Sequence, residues 1–117
     1  MKFNAAIIGL GFIGAADQIS GDALGQKVSG LDGTHYDTYR KNNKINLVAG
    51  SSRDLGRRQR FKKKSGAKVY ENWKDLINSE KIDIVSIATY TPSHEEIAVA
   101  CSESGIKAIF CEKPVAH

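Results

Sequence analysis

Cysteine is scarce in this sequence: Cys101 and Cys111 are the two among 117 residues. Their spacing matches no zinc or thiol-redox motif, so both read as small apolar side chains in a reducing compartment. No metal site is expected. Long hydrophobic runs are also missing, and nothing approaches the roughly 20 apolar residues that cross a bilayer. The opening "MKFNAAIIGL" has one lysine and a short apolar stretch, too little for a secretory leader. A cytoplasmic chain with no membrane partner is expected.

Acidic charge is short in one place. Residues 53–68, "RDLGRRQRFKKKSGAK", hold eight basic residues against one acid, net +7, which leaves the rest of a +4 chain at −3. A local basic segment means one anionic partner near one element, or a solvated helix face. Nucleic acid is a poor candidate for that partner. Phe61 is the one interleaved aromatic, and no reader motif accompanies it.

What is present alternates. Phe3–Ile8 reads as a buried strand, and Ile45–Ala49 as a second. Asp54–Lys64 reads as a helix with Leu55, Arg58 and either Phe61 or Lys62 on one face, Asp54 in its first turn and Gly66 at its stop. Lys68–Tyr70 is a short strand. Asn72–Asn78 is a helix capped by Asn72, with Trp73, Leu76 and Ile77 sharing a face. Ile82–Ala88 is the most strand-like run. Thr91-Pro92 then starts a helix that carries His94, Ile97, Ala98 and Cys101 on one side and ends at Gly105. Lys107–Cys111 is the last strand. Such alternation predicts an α/β fold, a Rossmann-type doubly wound parallel sheet in a single domain.

The first strand runs straight into Gly9, Gly11 and Gly14, with Phe12 and Ile13 inside the turn. This G-x-G-x-x-G spacing allows a tight turn, a close approach of pyrophosphate to backbone, and close helix–strand packing. The second strand ends in "AGSSRD". Ser51, Ser52 and Arg53 stand where an acid would bind the ribose hydroxyls of NAD. Arg53 can fork a 2′-phosphate, and Arg57 lies one helical turn on. The spacing therefore favours NADP, with NAD as the alternative. Lys62, Lys63 and Lys64 read as a solvated face.

"VSIATYTPSHEEIAVACSESGIKAIFCEKPVAH" resembles the N-terminal domain of the Gfo/Idh/MocA oxidoreductase family. The resemblance rests on Glu112-Lys113-Pro114 after the fifth strand, on Ala88-Thr89 followed by Pro92 and His94, and on the glycine turn. It implies an oxidoreductase that uses NAD or NADP on sugars, polyols and related small molecules. It also implies that Thr89, Tyr90, Pro92 and His94 lie beside the cofactor, with Glu112 and Lys113 near the nicotinamide. Lys113 would face the substrate as the catalytic group, its ammonium polarising a carbonyl or steadying an alkoxide. His94 reads equally as a packed first-turn histidine.

Two departures from the family pattern stand out. The substrate domain that should follow Pro114 is missing from the sequence, so residues 1–117 are expected to form a nucleotide-binding half with little turnover unaided. A homo-oligomer would form through that missing domain. Secondly, "AADQISGDALGQKVSGLDG", about residues 15–33, separates the glycine turn from a helix delayed to about Thr34–Lys41. It reads as an insertion, either a flap over the site or a surface loop. A non-catalytic dinucleotide sensor remains the alternative function.

Overall fold

The computed structural model describes residues 2–11, 35–89 and 94–111. The strands are β1 (Phe3–Ile8), β2 (Ile45–Ser51), β3 (Lys68–Tyr70), β4 (Ile84–Ile87) and β5 (Ala108–Cys111). The helices are α1 (His35–Lys41), α2 (Leu55–Ser65), α3 (Trp73–Ser79) and α4 (His94–Glu103). All strand pairings are parallel, in the order β3-β2-β1-β4-β5. This is the Rossmann-type sheet that the alternation predicts. The insertion at 15–33 and the cap at Thr34 lie outside the described residues.

Strand alternation divides the apolar residues between two faces. Ala6 and Ile8 of β1 join Val85, Ile87, Leu76, Ile97 and Cys101 under α3 and α4. Ala5 and Ile7 join Tyr36, Tyr39 and Phe61 under α1 and α2. The periodicity of each helix explains its share. Leu76 is fully buried with Trp73 and Ile77 packed beside it, and Ile97 and Cys101 are buried with Ala98 alongside. Burial pushes the Cys101 thiol up to about 11, the neighbouring Cys111 adding a smaller push.

β2 runs two residues beyond the expected Ala49, for two reasons. A bulge at Val48 shifts its register against β1 between Ala5 and Ala6, which changes the phase of the strand. Gly50 then faces α2, and a Cβ there would stand 2.6 Å from the Phe61 ring. The missing side chain makes room for Phe61, so the strand continues to the buried Ser51. β4 is shorter than expected, because Ile82 packs in the core ahead of the strand and Asp83 turns aside to bond the Asn4 backbone.

Helix ends follow their sequence signals. The Asp54 carboxylate accepts the Arg57 N–H at 3.2 Å, and Gly66 closes α2 by donating to the Lys62 carbonyl. The Asn72 side chain accepts the Lys74 N–H at 2.9 Å. Two expectations need correction. Leu55 does not share the buried face with Phe61 and is 58% exposed in the first turn of α2. Cys111 is exposed as well, because β5 is an edge strand whose last residues, Phe110 and Cys111, have no covering layer among the described residues.

Candidate functional site

In a parallel sheet the ligand crevice lies beyond the carboxyl ends of the strands, where the order reverses. Here that point is the end of β1, flanked by β2 and β4. Gly9 occupies it with φ +101, a conformation that L side chains rarely adopt. Its N–H donates to the Ser51 carbonyl at 2.9 Å, and the Ala88 N–H donates to the Ile8 carbonyl at 2.8 Å. A Cβ on Gly9 would stand 2.6 Å from the Ala88 carbonyl oxygen. Three strand ends thus converge on one residue that has no room for a side chain. Leu10 and Gly11 follow, both buried.

On the β2 side, Ser51 is buried, Ser52 is half-buried and Arg53 is exposed. The Ser52 hydroxyl accepts the Asp54 N–H at 3.1 Å. The first acid to follow β2 in the sequence is Asp54, and its carboxylate is turned into the cap of α2. Arg57 stands in the first turn of that helix, its backbone N–H held by the cap.

On the β4 side, Thr89 ends the described strand segment. Its Oγ1 is buried and has no hydrogen-bond partner among the described residues. A buried hydroxyl left without a partner is costly, and such groups mark places where a ligand or water completes the bonding. The carbonyl of the same residue accepts a hydrogen bond from His94 Nε2 at 2.6 Å. Since a carbonyl can only accept, the proton sits on Nε2. His94 thus ties the first turn of α4 back to the end of β4. His94 itself is half-buried.

Gly9, Gly11, Ser51, Ser52, Arg53, Arg57, Thr89 and His94 are brought to one end of the sheet by these elements. Phe12, Ile13, Gly14, Tyr90, Pro92, Glu112 and Lys113 lie outside the described residues. Sequence reasoning missed two polar features near the site. Arg58 reaches back to the turn after β2, its Nη1 lying 2.8 Å from the Ser52 carbonyl. Tyr39 of α1 crosses beneath β1 to bond Ser86 of β4 in the core, and burial raises its pKa above the ordinary tyrosine value. A lone serine inside "IDIVSIA" was the available signal for the second.

A groove of about 310 Å³ opens elsewhere, between Tyr39, Arg40, Ile45, Lys64 and Ser65. It lies at the start of β2 and the ends of α1 and α2, away from the crevice. Cations there complement the carbonyl ends of two helices, which accounts for Lys62, Lys63 and Lys64 at the end of α2.

Among the described residues no cluster of His, Cys, Asp or Glu could hold a metal ion, and no helix is long and apolar enough to cross a membrane.

A parallel 3-2-1-4-5 sheet with a side-chain-free turn at its reversal point defines a Rossmann-type domain. Comparison with known proteins makes this particular. Residues 3–117 match the model described as an oxidoreductase family with an NAD-binding Rossmann fold, and the chain belongs to this Gfo/Idh/MocA family. It is 34% identical over 116 residues to an inositol 2-dehydrogenase/D-chiro-inositol 3-dehydrogenase of Shouchella clausii, covering 99% of this chain and 29% of that protein. An inositol 2-dehydrogenase of Serratia proteamaculans is 32% identical over 116 residues, covering 99% of this chain and 30% of that protein. The crystal structure of myo-inositol 2-dehydrogenase from Lactobacillus plantarum superposes with a TM-score of 0.71 at 30% identity, covering 97% of this chain and 29% of that one. The chain therefore spans under a third of the length of the relatives it matches. It is an NAD-binding oxidoreductase domain by family.

Proposed function

We propose that residues 1–117 form the cofactor-binding half of an oxidoreductase that acts on a sugar, a polyol such as inositol or a related small molecule, and that it prefers NADP. The observation that carries the cofactor reading is the cradle at Gly9. The backbone there is bare by steric necessity, and the Thr89 hydroxyl, without a partner among the described residues, stands on the neighbouring strand end. Both fit a dinucleotide that needs close backbone approach and hydrogen-bond donors.

In this reading Gly9, Gly11, Phe12, Ile13 and Gly14 hold the pyrophosphate. Ser51, Ser52, Arg53 and Arg57 surround the adenosine ribose. Thr89, Tyr90, Pro92 and His94 border the nicotinamide half, with His94 holding Thr89 in place. Glu112 and Lys113 stand at the substrate side, and the Lys113 ammonium polarises the carbonyl or stabilises the alkoxide. The bound nicotinamide supplies the hydride acceptor or donor. The preference for NADP rests on Asp54: its carboxylate caps α2, and the neighbouring Arg53 is exposed and able to pair with a 2′-phosphate.

The identity to inositol dehydrogenases supports a polyol substrate, and the relatives' greater length supports a separate substrate-binding part. The 117-residue chain alone is then expected to bind cofactor with little turnover. Titration with NADPH and NADH, followed by cofactor or Trp73 fluorescence, tests the reading. Tighter binding of NADPH is expected, and Arg53→Ala should weaken NADPH by about tenfold while leaving NADH nearly unchanged. Failure to bind either nucleotide would remove the cofactor reading; equal affinity would remove the NADP preference alone.

A further inference from the structure

We propose that Arg58 is a positioning residue that shapes the turn after β2 to receive a 2′-phosphorylated adenosine, an inference that rests on the cofactor reading above. Arg58 lies in the first turn of α2, where its backbone N–H donates to the Asp54 carbonyl at 3.1 Å. Its side chain does not run outward with the helix. It folds back so that Nη1 stands 2.8 Å from the Ser52 carbonyl and 3.4 Å from the Arg53 carbonyl. One guanidinium nitrogen therefore spans two successive carbonyls at the end of β2.

This has two physical consequences. Carbonyl oxygens carry partial negative charge, and at this turn they would oppose an incoming phosphate. The guanidinium offsets them with a full positive charge. It also fixes the peptide on both sides of the Arg53 Cα. The exposed Arg53 side chain then starts from a set position, which lowers the entropy lost when it pairs with an anion.

The one acid of the segment is managed in the same turn. The Asp54 Oδ1 accepts the Arg57 N–H at 3.2 Å. It lies 3.2 Å from where a Gly56 Cβ would stand, and Arg60 Nη1 lies 2.8 Å from the same point. The absence of a side chain at Gly56 thus lets a carboxylate and a guanidinium share one small volume. The carboxylate is taken up by the cap, and Arg53 faces solvent. Three groups act together at this turn: Asp54 turned into the cap, Arg58 across the carbonyls and Arg53 exposed.

The test uses the full chain and two adenosine probes that do not need the nicotinamide half, adenosine 2′,5′-bisphosphate and 5′-AMP, titrated by calorimetry. Wild type should prefer the bisphosphate. Arg58→Met should reduce that preference about tenfold, the scale of one charge-assisted hydrogen bond, with 5′-AMP changed less than twofold. Arg58→Lys keeps the charge without the reach across two carbonyls and should recover part of the preference. Lys63→Met, exposed at the far end of α2, removes the same charge and should leave the preference intact. The backbone amide NMR shifts of Arg53 and Asp54 should move in Arg58→Met and stay put in Lys63→Met. Should Arg58→Met fold poorly, Arg58→Gln gives the same comparison.

An unchanged preference in the Arg58 variants would overturn the proposal, as would equal losses in Arg58→Met and Lys63→Met, which would reduce the effect to net charge. Wild type that binds both probes equally would overturn the NADP preference and this proposal together. Wild type that binds NADH, NADPH and both probes not at all would overturn the cofactor reading itself.

Discussion

Two constraints meet at a single residue, Gly9. Its φ of +101 and the 2.6 Å approach of the Ala88 carbonyl to a would-be Cβ act in the same direction. Gly9→Ala would force both a rare backbone conformation and a backbone collision that no side-chain rotation relieves. A loss of about 3 kcal/mol of stability is expected, at the upper end for a strained position. Thermal or urea unfolding of the variant measures it, and a loss under about 0.5 kcal/mol would show that β1 and β4 separate easily at this end. The glycine's necessity was legible in its spacing. Its reason was not, because Ala88 is remote in the chain and only strand pairing brings them together. His94 shows the same limit: its face was readable from helical periodicity, but the acceptor of its proton was a backbone carbonyl.

At the scale of elements, α2 has the clearest division of labour. Its mean composition is polar, and Phe61 is its one buried residue. An element with so little apolar anchor leans on its ends, which Asp54 and Gly66 supply. Asp54→Ala should cost about 1 kcal/mol through loss of the N-cap. Because the same carboxylate belongs to the residue next to Arg53, its removal takes a negative charge from beside the proposed 2′-phosphate site, and the variant should bind NADPH no more weakly than wild type despite being less stable. Denaturant unfolding beside NADPH titration separates the two effects; weakened NADPH binding would mean that the cap orders the turn. Strand lengths were the less legible part. β2 outran its apolar run because a bulge and Gly50 extended it, and β4 fell short because Ile82 packs without pairing. Those boundaries depend on packing between elements rather than on local pattern.

At the scale of the whole molecule, a five-stranded sheet divides the apolar residues into two clusters that meet only through the strands between them. Ala5 and Ile7 of β1 face one, and Ala6 and Ile8 the other. The succession of strands and helices and the parallel character of the sheet were legible, since alternating short strands and helices leave few ways to bury both faces. The clusters test whether this chain folds as one unit. Phe61 is 1% exposed under α2, and Ile97 is 1% exposed under α4. Phe61→Ala and Ile97→Ala should each cost about 3 kcal/mol. Trp73 packs against the Ile97 cluster and lies on the opposite face of the sheet from Phe61. If β1 couples the faces, Phe61→Ala should shift the Trp73 fluorescence transition in urea as far as it shifts the far-ultraviolet circular dichroism. A Trp73 transition that stays at the wild-type midpoint in Phe61→Ala, while the circular dichroism moves, would show two layers that unfold independently. The additional length of the relatives would then have a stabilising role that a self-sufficient domain does not require.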